Sequence, residues 1–267
     1  MNRLLEYIKC YPGGNVTIII LSKVSRIHQA CIAKWIMKRH LDVEQVGFWE
    51  KPTQSIAVAR LQMAGGEFSG NGARCLAYIF VKRQYSNQPD MKHQFFLEIS
   101  GTTILLEATV NSTMVSIDMP VKNFNVVKKI SEKIAIVYLD GITHILVKGY
   151  TPRNFKSISW TWINKFNLQN NRSVGVVYYR PIKNGIKISP VVWVRDVSDL
   201  ILETSCGSAS ISLALSLFLN GDDNQLTIYQ PSGSVIYTLI EHQNEIINRA
   251  SIKGSVSILE EGHFSPE

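Results

Sequence analysis

The chain has 267 residues, of which 45% are hydrophobic and 18% charged, and its formal net charge is +7. That balance excludes a disordered or low-complexity chain and leaves room for one large domain or two small ones with a sizeable core. Clusters such as Lys34/Lys38/Arg39 and Lys128/Lys129 carry no nucleic-acid-reading motif and read as solvated faces, so no nucleic-acid partner is expected. A basic balance does help to attract a small anion.

The four cysteines, Cys10, Cys31, Cys75 and Cys206, are too few and too scattered for a disulfide framework or a Cys-x-x-Cys metal site. Free thiols in a reducing cytoplasm are expected. The opening Met1-Asn2-Arg3-Leu4-Leu5-Glu6 has no long apolar region of the secretory kind, and no apolar run reaches the ~20 residues of a membrane span, so no membrane partner is expected.

Along the chain, Gly13-Gly14-Asn15 leads into a strand-like run at 16–21. A helix is expected over 28–39, with Cys31, Ile32, Trp35 and Ile36 on one face. Short β-branched runs follow at 56–61, 95–99, 103–108, 115–117, 134–139, 145–147, 174–179, 191–194, 226–229 and 235–240, bounded by Gly, Pro, Asn or Ser. Two further helices are expected, at 73–82 and 208–219. The second is apolar or small nearly all round and should be buried on most sides.

Each of these two helices is entered through the same kind of turn. Phe68-Ser69-Gly70-Asn71-Gly72-Ala73-Arg74-Cys75 and Thr204-Ser205-Cys206-Gly207-Ser208-Ala209-Ser210 both set a small hydroxyl or thiol before a Gly-polar-small start. A helix start offers unpaired N–H groups and partial positive charge, so it binds an anion and favours a thiolate beside it. Two such starts facing one another would grip a carboxylate and set a proton-transfer group on each side of the adjacent carbon.

The surrounding order recurs about half a chain later. Ser100-Gly101-Thr102 after the first helix is echoed by Ser232-Gly233-Ser234 after the second, and Ser116-Ile117-Asp118 by Ser251-Ile252-Lys253. This points to two like α/β domains related by a pseudo-twofold axis, with residues 119–125 as crossover and the two helix starts meeting at a cleft.

Cys206 is the sharpest catalytic candidate, since a helix start lowers a thiol pKa. Ser69 reads equally well as a plain N-cap, and no His-Asp pair stands by to activate it. Cys75, inside the helix, reads as packing. Asn15 and Asn71 are turn-type residues as well as binding candidates. Glu44-Gln45 could be an ordinary polar turn, Glu203 a polar acceptor near the helix entrance, and His144 a satisfied core histidine.

At these residues a resemblance becomes specific. Ser69-Gly70-Asn71-Gly72-Ala73-Arg74-Cys75 resembles the Cys-Gly-Asn-Gly-Ala-Arg-Cys signature of the diaminopimelate epimerase-like superfamily, with serine in place of the first cysteine. Glu203-Thr204-Ser205-Cys206-Gly207-Ser208 resembles its second cysteine motif and Gly14-Asn15 its amino-terminal Gly-Asn. The resemblance runs from about Tyr7 to Gly254. It implies an α/β (α+β) fold of two similar domains, 1–120 and 121–267, each a curved sheet or barrel around a central helix, with room for the last residues to pack back on the first domain. It assigns the acid and base positions to Ser69 and Cys206, and substrate binding to Asn15, Glu44, Gly70, Asn71, Glu203, Gly207 and Ser208. No cofactor and no metal are implied.

The residues that would hold the far end of diaminopimelate are missing. Gly141-Ile142-Thr143-His144 stands for Gly-Asn-Pro-His and Val174-Gly175-Val176 for Val-Asn-Phe, and the Glu-Arg pair has no clear match beyond nearby Arg195-Asp196. The resemblance is closer to the histidine racemases of staphylopine-type metallophore synthesis. Tyr11-Pro12-Gly13-Gly14-Asn15-Val16-Thr17, Glu44-Gln45-Val46-Gly47-Phe48, Ser205-Cys206-Gly207-Ser208 and Gln230-Pro231-Ser232-Gly233-Ser234 occur in the same order there. It implies a cofactor-independent amino-acid racemase acting on histidine, a small-molecule substrate whose imidazole Glu44 is able to meet, and allows a homodimer. Diaminopimelate epimerase, a same-fold isomerase or lyase, and an impaired amino-acid-binding protein are the alternatives.

Overall fold

In the computed structural model, residues 4–88, 90–195, 199–244 and 246–265 are described. Met1, Asn2 and Arg3 of the opening segment, and Asp196, lie outside them. The chain divides into two compact units: residues up to Asp118 with those from Lys253 onward, and Met119–Ile252.

The first unit runs β1 (Leu5–Tyr11), β2 (Thr17–Ile20), α1 (Arg26–Arg39), β3 (Gln45–Glu50), β4 (Ala57–Met63), α2 (Gly70–Gln84), β5 (His93–Ile99), β6 (Leu106–Asn111) and β7 (Met114–Asp118). β1 pairs antiparallel with β2, β2 parallel with β3, β3 antiparallel with β4, β4 parallel with β5, and β5, β6 and β7 form an antiparallel run. The parallel pairs need crossovers, which α1 and α2 supply. Helix α2 touches each of β1 to β7, and its residues Gly70 to Val81 are all buried. A helix apolar on every side can persist only where a sheet wraps it.

The second unit runs β8 (Val127–Ser131), β9 (Ile134–Leu139), β10 (Ile142–Lys148), α3 (Phe155–Lys165), β11 (Ser173–Ile182), β12 (Gly185–Val194), β13 (Asp199–Leu202), α4 (Gly207–Phe218), β14 (Gln225–Tyr229), β15 (Val235–Gln243) and β16 (Ile246–Ser255). The pairing order of the first unit returns here. β10 is parallel to β11 across α3, β11 antiparallel to β12, β12 parallel to β14 across α4, and β14 antiparallel to β15. Helix α4 is the enclosed one, touching β8, β9, β10, β14 and β15. The last strand, β17 (Ser257–Phe264), returns to the first unit and pairs antiparallel with β1. There Phe264 stacks on Tyr7 at 3.9 Å.

One local expectation needs correction, and one helix is not foreseen. The face that α1 buries is Gln29, Ile32, Ala33 and Ile36, so Cys31 is exposed. The true spacing follows the 3.6-residue period one position earlier. Helix α3 is not among the expected elements: the β-branched and aromatic residues of Phe-Lys-Ser-Ile-Ser-Trp-Thr-Trp-Ile-Asn-Lys favour strands, although its apolar positions fall at helical spacing. It forms because Ile158, Trp162, Ile163 and Phe166 pack on the core of β10 and β11, a tertiary gain that outweighs propensity.

The repeated Ser-Gly turns brace the segments that feed the buried helices. The Ser100 hydroxyl donates to the Glu67 carbonyl at 2.7 Å and accepts from the Met63 amide at 2.9 Å. Gly101 has φ +79°, and a Cβ there would lie 2.2 Å from the Phe68 nitrogen. In the second unit the Ser232 amide donates to the Thr204 carbonyl at 3.0 Å, two residues before Cys206. Gly101→Ala is expected to cost about 1–3 kcal/mol through its left-handed backbone and the clash together. Thermal unfolding should record a Tm several degrees lower, and an unchanged Tm would mean that Phe68 does not lie against this glycine.

Candidate active site

The two candidate residues occupy the same backbone position of their helices. Ser69 is the N-cap of α2 with φ −135° and ψ 112°, and Cys206 the N-cap of α4 with φ −135° and ψ 106°. Each carbonyl starts its helix, Ser69 accepting from the Ala73 amide at 2.9 Å and Cys206 from the Ser210 amide at 3.1 Å. Both residues are 7% exposed. The side chains then diverge.

Ser69 is engaged on both sides. Its Oγ accepts from the Gly72 amide at 3.0 Å and donates to Gln45 Oε1 at 2.8 Å. A side-chain amide oxygen takes a hydrogen bond but not the proton, so the hydroxyl gains no base from Gln45. The N-cap reading of Ser69 is therefore correct as local structure, with Gln45 as a partner that sequence reasoning left within a polar turn. Gly70 and Asn71 begin the helix, both buried. The Asn71 side chain accepts from Arg74 Nη2 at 2.7 Å, and the same nitrogen donates to the Pro12 carbonyl at 2.9 Å. Arg74 thus ties the helix start to the turn at Gly13, Gly14 and Asn15, whose φ values are 86°, 114° and 50°. Asn15 is 3% exposed, and its carbonyl accepts from Thr17 Oγ1 at 2.7 Å. Glu44 is exposed and directly precedes Gln45. Cys75 is fully buried against Cys10, as its packing reading requires.

In the second unit Cys206 is held from three directions. Its amide donates to Gln230 Oε1 at 2.9 Å, and Gln230 Nε2 donates to Ser210 Oγ at 3.0 Å. Ser210 Oγ donates back to the Cys206 carbonyl at 2.8 Å. Gln230 lies in the Gln-Pro-Ser-Gly-Ser motif, yet nothing in the sequence assigned it this buckle. The sulfur itself lies 3.4 Å from Ser208 Oγ, beside the start of the helix at Gly207.

The expected low thiol pKa is overturned. Burial pushes the Cys206 thiol up to about 12, and the nearby negative charge of Glu203 adds to the rise. The Ser208 hydroxyl and the Ser208 and Ala209 amides act the other way, but more weakly. A helix start lowers a thiol pKa only when the sulfur is not also stripped of solvent. Cys206 is therefore a protonated thiol at neutral pH, able to give a proton.

His144 is a core histidine, as its apolar neighbours suggest, bonded through one ring nitrogen. It is fully buried, and its Nε2 lies 3.0 Å from Ser208 Oγ. Burial alone holds the ring neutral, with its pKa pushed down to about 3. Among the described residues no three His, Cys, Asp or Glu side chains form a metal-sized group, and no helix is long and apolar enough to cross a membrane.

Residues 4–264 match the family model for the histidine racemase CntK N-terminal domain. The chain belongs to the histidine racemase family. A histidine racemase of Fusobacterium nucleatum is 28% identical to it, with 97% of each chain covered. The counterpart of Staphylococcus aureus is 25% identical, with 98% of each covered. This histidine racemase family member is an amino-acid racemase, an isomerase of the racemase and epimerase class. Its fold is similar to that of a hydroxyproline epimerase from Agrobacterium vitis, at TM-score 0.72 and 12% identity over 98% of this chain and 93% of that one. A phenazine biosynthesis protein of the PhzF family from Bacillus anthracis follows at TM-score 0.66 and 14% identity, with 98% of each chain covered. These neighbours support a mixed α/β fold of the proline racemase and PhzF type, a broader group than the diaminopimelate epimerases.

The thiol state has a direct consequence for alkylation. Cys206 should react with iodoacetamide far more slowly than exposed Cys31 at pH 7, and its rate should keep rising through pH 9 as thiolate forms. Peptide mapping by mass spectrometry reads the two cysteines separately. Equal rates at pH 7 would mean that the Cys206 thiol is not raised.

Proposed function

We propose that this protein is a cofactor-independent histidine racemase that moves a proton at the α-carbon between the Ser69 and Cys206 positions. The observation that carries the reading is the pair of enclosed helix starts with matching N-cap geometry, each presenting a side chain that bears a labile proton. Two-sided transfer needs one such start on each face of the α-carbon. The amides of the first turns are suited to a substrate carboxylate, which stabilises charge building up as the α-proton leaves. Asn15 and Asn71 border the Ser69 start, and Glu44 supplies a carboxylate for an imidazole. Membership of the family supports histidine as the substrate, and a role in metallophore synthesis in the cytoplasm follows from the same resemblance.

The two positions are not chemically equal. Cys206 is a thiol that can donate, and after donation a thiolate that can accept. Ser69 is an alcohol whose proton is directed to Gln45, an acceptor that cannot take it away. Its ordinary basicity is too weak for abstraction at neutral pH. The chain as written should bind histidine and invert it poorly. Cys206 could still wash out the α-proton of one enantiomer by returning solvent protons to the same face.

Incubation with each amino acid in deuterated water, followed by NMR and chiral chromatography, separates exchange from inversion. Ser69→Cys should raise histidine inversion by at least about 100-fold, the lower range for a placed acid or base. Cys206→Ala in that background should abolish it. Brisk native inversion that Ser69→Ala removes, with no gain from Ser69→Cys, would establish serine as a working catalyst, whereas elimination in place of inversion would favour a same-fold isomerase or lyase. Faster inversion of diaminopimelate or proline than of histidine would overturn the substrate assignment.

A further inference from the structure

Three polar groups of the second unit form a line that the two-residue mechanism does not use. His144 Nε2 lies 3.0 Å from Ser208 Oγ, and Ser208 Oγ lies 3.4 Å from Cys206 Sγ. His144 comes from the middle of β10, Ser208 from the first turn of α4, and Cys206 from its N-cap. We propose that His144 is a positioning residue for Cys206: its neutral ring donates from Nε2 to Ser208, which turns the Ser208 hydroxyl proton toward the sulfur. The inference deepens the proposed function, because it matters for catalysis only if Cys206 moves a proton.

The direction of the line follows from the other ring nitrogen. His144 Nδ1 is buried and has no hydrogen-bond partner. A buried N–H left without an acceptor is costlier than a bare lone pair, which favours the tautomer with the proton on Nε2. Ser208 Oγ then accepts from the ring, and its own proton is left for the sulfur. The resulting order is Nε2–H to Oγ, then Oγ–H to Sγ. No proton leaves the histidine, so it serves as a fixed donor and not as a base.

The fold makes room for this ring at a definite place. In the parallel pairing of β10 with β11, His144 stands opposite Gly175. A Cβ on Gly175 would lie 2.2 Å from His144 Nδ1, so any larger residue there would push the imidazole off its line to Ser208. Two residues far apart in the sequence thus share one purpose. The charges acting on the sulfur complete the picture. Glu203 and burial oppose the thiolate, while Ser208 and the helix-start amides favour it. No charge acts on His144, whose neutrality comes from burial alone.

The line therefore lowers the cost of the thiolate that Cys206 becomes after giving up its proton. Hydrogen bonds to a charged group are stronger than neutral ones, so losing the Ser208 donor should be visible. The test is the rate of Cys206 alkylation by iodoacetamide between pH 6 and 9, read by peptide mapping in the full chain with Cys31→Ser. Ser208→Ala should slow Cys206 by about 10-fold across this range. His144→Leu should slow it severalfold, and His144→Gln, whose amide can still donate near the Nε2 place, should restore most of the rate. In the Ser208→Ala background, His144→Leu should add nothing further.

Native alkylation rates in both Ser208→Ala and His144→Leu would overturn the proposal. A His144→Leu loss that persists in the Ser208→Ala background, or is not rescued by His144→Gln, would show that His144 acts by packing. Should His144→Leu fail to fold, judged by thermal unfolding, Ser208→Ala against His144→Gln still decides: the first slowed and the second near native supports the line, and both native or both equally slowed refutes it. These readings do not depend on turnover. If Ser69→Cys inverts no amino acid but the alkylation pattern holds, the racemase reading fails and the positioning of Cys206 stands.

Discussion

A helix enclosed by a sheet must dispose of the unpaired N–H groups at its start, and both units of this chain are organised around that requirement. α2 and α4 lie inside their units, so solvent cannot satisfy those groups. At α2 the problem is closed locally, since the Ser69 hydroxyl takes the Gly72 amide. At α4 the residue in the same place is a cysteine, and its sulfur makes no cap. The amides of Ser208 and Ala209 lie close enough to the sulfur to bias it toward thiolate. What is an N-cap in one unit is an incomplete cap in the other. An incomplete cap is also a site for an anion.

Each helix start is backed by a fully buried basic side chain that is only partly satisfied. Behind α2 stands Arg74, whose Nη2 binds Asn71 and Pro12 while its Nε and Nη1 have no hydrogen-bond partner. Burial lowers its pKa to about 10, which leaves it cationic at neutral pH. Behind α4 stands His144, neutral and bound through one nitrogen. The first start therefore carries a full positive charge in addition to the helix dipole, and the second carries the dipole alone. Arg74 suits the first start to holding an anion in place. The neutral His144 adds no positive charge beside Cys206, which stays a protonated thiol at neutral pH and is suited first to giving a proton.

Much of this was legible in the sequence because it is written locally. Gly-polar-small turns before apolar runs announce the two helix starts, and the repeated Ser-Gly turns announce the braces beneath them. The parts that were not legible depend on contacts between distant positions. Gln45 reaches Ser69 from another strand, Gln230 reaches Cys206 across α4, and Gly175 matters only once it is paired with His144. The thiol of Cys206 shows the limit most clearly. Its helix start is local and favours the thiolate, but its burial is a property of the finished fold and outweighs it. Strand β17 was missed for a related reason. Its Leu-Glu-Glu-Gly-His is not a β-branched run, and pairing with β1 and the stack of Phe264 on Tyr7 make it a strand.

The serine at position 69 is a trade between stability and chemistry. A serine N-cap that takes a backbone amide stabilises a helix by about 1 kcal/mol relative to a residue that cannot. A thiol is a weaker acceptor and a longer one, so a cysteine here would surrender part of that gain. It would also loosen the hold of Gln45, whose amide oxygen now accepts a hydrogen bond from the hydroxyl. What cysteine would add is a more acidic proton and a stronger nucleophile than the alcohol offers. The same geometry that makes Ser69 a good cap makes it a poor base, because a lone pair and the proton already have protein partners and no base draws the proton off. Position 206 shows the opposite choice within the same backbone conformation. There the sulfur caps nothing, and the stability that a cap would supply is provided by Gln230 and Ser210 through the cysteine's own backbone. A side chain can transfer protons at a buried helix start only when something else has taken over its structural duty.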